Sequence, residues 1–401
     1  MRTILENAKR LYRLKHDQTL PTYNRYLLQE VKSSTAKIVG VYGARGVGKT
    51  TLLLQMLRDL ELERSKKLYI SWDHSIFKNI SLFDFVDEFS KRGGEVIVID
   101  EIHEAKDFQE QLKSIYDFLD VKVYFSSSSA ISITNPDFAR RYSMFHLPNL
   151  SFREFLELSQ GIKLESFGLD DILSNHEDIA NEIIDKLEDK KVFKYFDEYI
   201  NYGVYPFYFE DKSRYIDRIN FVIDTVLHKD LTKIFNIQVD KIDTLKKLLI
   251  AICVSKPFEV HIEKLSLDIS VSKTTLYKYI HYLDKAELIN LVTHEAKRLK
   301  NIRKPDKLYL NNTNLFNALC QESEIGTLRE VFFVNMIKPF YQINYSEVGD
   351  FLVDEKFVFE IGGAKKGFKQ IKDIPNSYVV ADGIEVGLGA KIPLWLFGFI
   401  Y

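Results

Sequence analysis

The pattern of apolar and polar residues divides the chain into a part with alternating strands and helices and a longer helical part. Short apolar runs at 37–42, 96–99 and 121–125 have the length of buried strands, and amphipathic or polar stretches separate them. From 152 to 240, apolar residues recur at helical spacing with charged residues on the opposite face. The pattern therefore predicts an α/β domain followed by a helical region.

The second half of the chain predicts two further small domains. Residues 241–310 contain three helical stretches followed by two strands, which is the order of a winged helix-turn-helix. The remaining residues contain an amphipathic helix and at least four strands, which predicts another α/β domain. We therefore predict four domains, at residues 1–150, 151–240, 241–315 and 316–401.

Length and charge fit a soluble protein of several domains. A chain of 401 residues exceeds one ordinary core, and its net charge of −2 gives no overall attraction to nucleic acid or membrane. No apolar run approaches the ~20 residues of a membrane span, and residues 1–16 lack a signal-peptide core. Cys253 and Cys320 are far apart and have no metal-ligand spacing. We expect a cytoplasmic protein with two buried thiols and no membrane contact.

The run VYGARGVGKTTLL carries the strongest chemical signal. Residues 43–50 fit the pattern G-x-x-x-x-G-K-[ST], and they lie between a predicted strand and a predicted helix. Glycines let such a loop wrap closely with its N–H groups pointing inward, and the helix start adds partial positive charge. Lys49 is placed to meet phosphate oxygens, and the Thr50 hydroxyl to ligate Mg²⁺. The predicted triphosphate contacts are Gly43, Ala44, Arg45, Gly46, Val47, Gly48, Lys49, Thr50 and Thr51.

Two acids follow the apolar run at 96–99. Asp100 and Glu101 stand where a buried parallel strand would end, which is where ligands sit in doubly wound sheets. We predict that Asp100 lies near Mg²⁺ and that Glu101 polarises the attacking water. The alternative is a strand that ends in two solvated acids.

The third predicted strand ends in four serines at 126–129. A hydroxyl there can sense a γ-phosphate, and Ser126 or Ser127 is the candidate; a serine-rich turn is the alternative. Arg140 and Arg141 follow, and either can contact a nucleotide phosphate in the same subunit or in a neighbouring one. A solvated pair of arginines is the alternative.

With these motifs the chain resembles AAA-type ATP-binding proteins of bacteria and archaea that carry a C-terminal domain of uncharacterised function. The resemblance rests on GARGVGKTTLL, VIVIDEIH, the serines at 126–129 and ARRYSMFHLPNLSFREFLEL. Family members have Leu-x-Gly-Arg before a Pro-Leu-Ser-Phe-Arg-Glu-Phe segment. Arg141 matches that arginine, Arg140 replaces the glycine, and 148–155 matches the second segment closely. The resemblance implies a helical lid over the nucleotide at 151–240.

The predicted winged helix suggests a possible DNA contact. In its third helix, Leu276, Ile280 and Leu283 form a core stripe. The connector between its two strands carries six basic residues against two acids, which gives a charged loop that can bind phosphates. The alternative is that the predicted winged helix contacts a protein or acts as a spacer. The polar residues on the outer face of the helix are Lys273, Thr274, Thr275, Lys278 and His281, and the basic connector residues are Lys297, Arg298, Lys300, Arg303, Lys304 and Lys307.

The C-terminal α/β pattern suggests a degenerate restriction-endonuclease-like fold. A helix with Glu330 precedes Asp350 and Glu360, and acids in that order can hold a divalent metal in nucleases of this type. A lysine is expected two residues after the second acid, but this chain has Gly362 there, and Lys365 and Lys366 come later. Asp354 is a further acid in the region. A degenerate copy used for structure or binding is favoured over an active nuclease.

Together these features predict an α/β protein with an AAA-like P-loop NTPase domain that binds ATP and Mg²⁺ and works as a nucleotide-driven ATPase switch. The guanine-reading Asn-Lys-x-Asp pattern is absent after the third strand, so ATP is favoured over GTP. The predicted catalytic residues are Lys49, Glu101, Ser126 and Arg141, and the predicted metal ligands are Thr50 and Asp100. The alternatives are an ATP-regulated protein that binds duplex DNA and a metal-dependent nuclease. A protein partner and homo-oligomerisation stay open.

Overall fold

The computed structural model describes residues 1–127, 140–255, 262–294, 307–320 and 324–401. The chain divides into two compact units, Met1–Pro148 and Asn149–Tyr401. The predicted basic connector, apart from Lys307, lies outside the described residues, as do Ser128 and Ser129.

A parallel sheet forms the centre of the N-terminal unit. Its strand order is β2-β3-β4-β1-β5, and every pairing is parallel. Ile38, Val39 and Val41 of β1 are fully buried, as expected for a strand covered on both faces. The strands are β1 (Ile38–Tyr42), β2 (Lys67–Ser71), β3 (Val96–Asp100), β4 (Lys122–Ser127) and β5 (Tyr142–His146).

Helices connect and cover these strands, as the sequence pattern predicts. The helix after the glycine loop buries an apolar face that includes Leu52, Leu53 and Met56. Because all the strands run in one direction, the segments after β1, β3 and β4 reach the same edge of the sheet. The helices of this unit are α1 (Arg2–His16), α2 (Leu28–Ser33), α3 (Lys49–Arg58), α4 (Leu82–Lys91) and α5 (Phe108–Phe118).

The C-terminal unit begins with helices. Ser151 caps the first of them in a capping box with Glu154, and Arg153 Nε donates to the carbonyl oxygen of Tyr401, 2.9 Å away. The segment that matches the family pattern thus anchors the end of the chain. The helices are α6 (Phe152–Gln160), α7 (Leu169–Lys186), α8 (Val192–Tyr202), α9 (Tyr215–Thr225), α10 (Thr232–Phe235), α11 (Ile242–Val254), α12 (Ile262–Asp268), α13 (Lys273–Lys285), α14 (Asn314–Leu319) and α15 (Ile325–Ile337).

Strands β6 (Ile289–Val292) and β7 (Lys307–Leu310) pair antiparallel after α11, α12 and α13, which is the predicted order of three helices and two strands. Leu276, Ile280 and Leu283 of α13 are buried, which confirms the predicted core stripe. Lys273, Thr274, Lys278 and His281 are exposed and Thr275 is half-buried, so the outer face of the helix is polar, as predicted.

A mixed sheet of order β12-β11-β10-β9-β8 ends the chain. Strands β8, β9 and β10 pair antiparallel, whereas β10, β11 and β12 pair parallel. Phe333 of α15 packs against the rings of Phe351, Phe359 and Phe397. The strands are β8 (Ile343–Tyr345), β9 (Phe351–Val353), β10 (Phe357–Gly363), β11 (Ser377–Asp382) and β12 (Lys391–Pro393).

The two cysteines contradict the expectation of separate thiols. The structure joins Cys253, near the end of α11, to Cys320, just after α14, in a disulfide with a Cα–Cα distance of 6.2 Å. The sequence did not predict this disulfide, because the two cysteines are 67 residues apart and only the packing of the helices brings them together. The cysteines therefore give no support for a reducing compartment.

Candidate functional site: a phosphate loop beside Asp100 and Glu101

The glycine loop after β1 has the backbone that its sequence predicts. Gly43 lies so close to the next segment that a Cβ there would be 2.2 Å from the carbonyl oxygen of Leu147. Gly48 has a φ of +100°, a left-handed conformation that glycine adopts without steric cost, and α3 begins at the next residue. The loop therefore leads directly into a helix N-terminus, where partial positive charge favours anions.

Lys49 is buried, with 7% of its surface exposed. Its ammonium donates to the carbonyl oxygens of Gly43 and Ala44, both at 2.8 Å, so the side chain lies across the loop. The positive charge of this side chain therefore lies at the loop, where it can attract an anion.

Asp100 is held by hydroxyl groups from three sides. Its Oδ2 accepts from Thr50 Oγ1 at 2.7 Å and from Tyr69 OH at 2.8 Å, and its Oδ1 accepts from Ser126 Oγ. Only 3% of Asp100 is exposed. Burial and the Asp100 charge raise the pKa of Tyr69, so its hydroxyl stays protonated and donates. The predicted pair Thr50 and Asp100 therefore lies together, and it offers the hard oxygen ligands that Mg²⁺ prefers.

Glu101 follows directly and has a left-handed backbone, with a φ of 53° and a ψ of 46°. A non-glycine residue in this conformation is strained, and such strain clusters at functional sites. The Glu101 amide donates to Ser126 Oγ at 2.9 Å, and His103 Nε2 lies 3.4 Å from Glu101 Oε2. Ser126 thus links the two acids, and the γ-phosphate contact predicted for it stays a prediction. Ser127 is also fully buried.

Arg25 braces the loop, a role that the sequence did not reveal. Its guanidinium is buried and donates to the carbonyl oxygens of Val47 at 2.6 Å and Pro148 at 2.9 Å. Gln55 of α3 holds the same N-terminal segment through the carbonyl oxygens of Pro21 and Tyr23, both at 2.8 Å. No local motif predicts these hydrogen bonds, because they join residues that are 22 to 123 positions apart in the sequence.

Arg141 lies near the edge of the sheet where the parallel strands begin, whereas the glycine loop follows the end of β1. It precedes β5, and the first residue of that strand, Tyr142, pairs with Ile38 at the start of β1. The loop begins after Tyr42, four residues or about 13 Å further along the strand. Arg141 Nε instead lies 3.4 Å from Asp117 Oδ1. A phosphate contact of Arg141, in its own subunit or in a neighbouring one, stays a prediction; Arg140 is exposed.

A second acidic cluster lies in the C-terminal unit. Glu330, Asp350 and Glu360 are all at least nine-tenths buried. The prediction that Lys307 belongs to a solvated basic loop is wrong, because the residue is only 1% exposed. Its ammonium lies 3.1 Å from Glu330 Oε2 and 3.4 Å from Asp350 Oδ1. Tyr309 also donates to Glu330. This cluster, Lys307, Tyr309, Glu330, Asp350 and Glu360 with Lys366, is called the acid–lysine cluster below.

Lys366 reaches back to the place where the sequence lacks a lysine. Its ammonium pairs with Glu360, and its aliphatic stem occupies the space beside Gly362, where a Cβ would lie 2.7 Å from Lys366 Cβ. Glu360 Oε2 has no hydrogen-bond partner, and burial raises the pKa of Glu360. Asp354 and Lys365 are exposed. No group of three or more metal-ligating side chains with metal-site geometry occurs among the described residues.

Comparisons with known proteins agree with the geometry of the N-terminal unit. Residues 35–156 match the family model of an AAA domain (AAA_14), and residues 193–326 match a domain of unknown function (DUF8612). An uncharacterised protein of Methanocaldococcus jannaschii is 26% identical, over 90% of this chain and 83% of that protein. Residues 35–156 are therefore similar to an AAA domain, in agreement with the resemblance.

Two solved structures show lower similarity. A Walker-type ATPase of Pyrococcus abyssi is 12% identical over 76% of this chain and 99% of its own, with a TM-score of 0.41. The AMPPCP-bound DnaA of Aquifex aeolicus is 13% identical over 70% of this chain and 90% of its own, with a TM-score of 0.28. Scores this low say nothing about the function of this chain. Among the described residues, no helix combines the length and apolarity needed to cross a membrane.

Proposed function

We propose that the N-terminal unit binds ATP with Mg²⁺ and hydrolyses it, so that the chain works as a nucleotide-driven switch. The observation that carries this proposal is the 2.7 Å contact between Thr50 and Asp100, directly beside a glycine loop that holds a buried lysine. The alternatives are a solvated turn and two solvated acids, and in both of them Lys49, Thr50 and Asp100 would lie apart and exposed.

Each residue of the site has a role in this proposal. The amides of the loop from Gly43 to Thr51 bind phosphate oxygens, and Lys49 adds positive charge beside them. Thr50 and Asp100 hold Mg²⁺, which neutralises charge on the phosphates when it is bound. Glu101 orients and polarises the attacking water, while Ser126 holds Asp100 and Glu101 in register. Arg141 contacts a nucleotide phosphate, in its own subunit or in a neighbouring one.

Nucleotide binding is the direct test of this proposal. Replacing Lys49 by alanine removes the only ammonium on the loop and should weaken ATP binding by at least about tenfold, because charge-assisted contacts to phosphate contribute about 1.5–3 kcal/mol. Isothermal titration with a non-hydrolysable ATP analogue measures this. Lys37→Ala is the matched control, since Lys37 donates to Tyr116 at the start of β1, away from the loop. Equal affinity of Lys49→Ala and the unmodified protein would contradict the proposal.

Binding of duplex DNA by the three helices and two strands of the C-terminal unit is the second candidate. The exposed polar face of α13 supports it, although Lys273 of that face already pairs with Glu263 at 2.5 Å. Changing Lys278 and His281 to alanine tests the helix face, and changing Lys297, Arg298 and Lys300 tests the connector. A binding module should lose affinity for all sequences, and the connector variant should flatten the salt dependence. Unchanged affinity in both variants favours protein contact instead.

A further inference from the structure

Tyr69 donates to the Asp100 carboxylate although it belongs to no predicted motif. It lies on β2, the strand next to β3, and its ring is buried with 7% exposed. Ser126 approaches Asp100 from β4 on the other side, and Thr50 approaches from α3. The carboxylate is therefore fixed by one donor from each neighbouring strand and one from the phosphate loop helix.

The hydrogen bonds to Asp100 leave no free lone pair on its Oδ2. A carboxylate oxygen has two lone-pair sites, and Thr50 and Tyr69 occupy both on Oδ2. In the proposed function the Thr50 hydroxyl remains next to Asp100, because Thr50 and Asp100 together face the ion. Tyr69 is the donor with no part in holding phosphate or ion. Its hydroxyl thus uses the lone pair of Asp100 Oδ2 that would otherwise accept a hydrogen bond from a water molecule on the bound ion.

Space for Tyr69 to move exists beside it. A cavity of about 490 Å³ adjoins the site and is lined by Tyr69, Thr50, Asp100 and Glu101. Residues of α1, among them Ala8 and Leu11, also line it. The cavity thus offers a space beside Asp100 for the Tyr69 hydroxyl.

We propose that Tyr69 is a positioning residue that holds Asp100 Oδ2 in the empty site and releases it when nucleotide and Mg²⁺ are bound. This inference rests on the proposed function. In the empty site Tyr69 keeps the buried carboxylate satisfied and oriented. Release of this hydrogen bond opposes ion binding, so Tyr69 sets the Mg²⁺ concentration at which the site fills.

Tyr69→Phe tests the inference, because it removes the hydroxyl and keeps the ring. The measurement is the Mg²⁺ concentration needed for half-maximal binding of a non-hydrolysable ATP analogue, followed by titration calorimetry. Without the competing donor, this concentration should fall about 3- to 10-fold. The rise in melting temperature on adding analogue and Mg²⁺ should also be larger than in the unmodified protein. Tyr142→Phe, on β5, is the matched control and should leave both values unchanged.

The outcomes separate the two proposals. If Tyr69→Phe needs the same or more Mg²⁺, Tyr69 stays on Asp100 in the loaded site as a fixed support, and the inference is overturned. If the unmodified protein binds no analogue at any Mg²⁺ concentration, the proposed function itself fails. A structure with analogue and Mg²⁺ in which Tyr69 OH lies beyond 3.5 Å of Asp100 would support the inference independently of affinity.

Discussion

The two units surround their buried carboxylates in opposite ways. In the N-terminal unit, Asp100 accepts from the hydroxyl groups of Thr50, Tyr69 and Ser126, all of them neutral. In the C-terminal unit, Glu330 and Asp350 share the ammonium of Lys307, and Glu360 pairs with Lys366. Both arrangements place hydrogen-bond donors on buried carboxylates, but only in the second are the donors cations that offset the negative charge.

This difference separates a site that can take a cation from a cluster that already contains one. Neutral donors orient Asp100 and leave its charge for an incoming ion. The Lys307 ammonium, by contrast, fills the space between Glu330 and Asp350 and interacts with the Phe351 ring at 4.7 Å from its centroid. A carboxylate near the end of a strand therefore indicates a metal site only when its neighbours leave the charge uncancelled.

Glu101→Gln should give the largest effect on the N-terminal side of the comparison. The amide keeps the shape of the side chain but cannot polarise water, so ATP turnover should fall by about 10²-fold or more while analogue binding remains. A phosphate-release assay measures turnover, and Glu88→Gln on α4 is the matched control, since Glu88 pairs with Arg92 on the surface. Unchanged ATP turnover would contradict the role of Glu101 in polarising the attacking water.

Lys307→Met should give the largest effect on stability in the C-terminal unit. It leaves two buried carboxylates without their cation, and loss of one partner of a buried pair costs about 3–5 kcal/mol. Denaturant unfolding measures the loss. Lys366→Met removes a lysine that is 31% exposed, and should cost clearly less.

A double change sharpens that result. Adding Glu330→Gln to Lys307→Met removes one of the two uncompensated charges, so part of the lost stability should return. If the double variant is as unstable as the sum of both single variants, packing rather than charge explains the loss.

Glu360→Gln should produce a small, pH-dependent effect. Burial raises the pKa of Glu360 above its ordinary value of 4.5, so between that value and the raised one the folded state binds more protons than the unfolded state. The Glu360 contribution to the free energy of unfolding therefore falls as pH rises through this window. The variant lacks this contribution, so its stability relative to the unmodified protein should increase from pH 4 to pH 7. A constant difference across this range would contradict the cause assigned to Glu360.

Local patterns predicted which side chains come together at the candidate site. The strand, the glycine loop and the helix follow one another in the sequence, and Asp100 stands at a strand end, so short-range rules place Thr50 and Asp100 together. The order and register of the strands are long-range properties. They bring Tyr69 to Asp100 and put Arg141 at the far edge, and no local pattern carries that information.

The acid–lysine cluster shows the same limit. Glu330, Asp350 and Glu360 were identified as a group, but Lys307 lies on β7, which the sequence pattern assigned to the preceding domain. A lysine beside a basic run is predicted to be solvated, whereas the fold buries this one against two acids. The return of Lys366 over Gly362 likewise depends on a turn conformation that spacing does not encode.

The most direct test of the central claim compares Mg²⁺-dependent nucleotide binding in the unmodified protein and in Thr50→Ala. Titration calorimetry with a non-hydrolysable ATP analogue is run with Mg²⁺ and with a chelator. We predict that Mg²⁺ tightens binding to the unmodified protein and that Thr50→Ala loses most of this gain, because the ion loses its hydroxyl ligand beside Asp100. Equal Mg²⁺ dependence in both proteins, or no binding by the unmodified protein, would contradict the account.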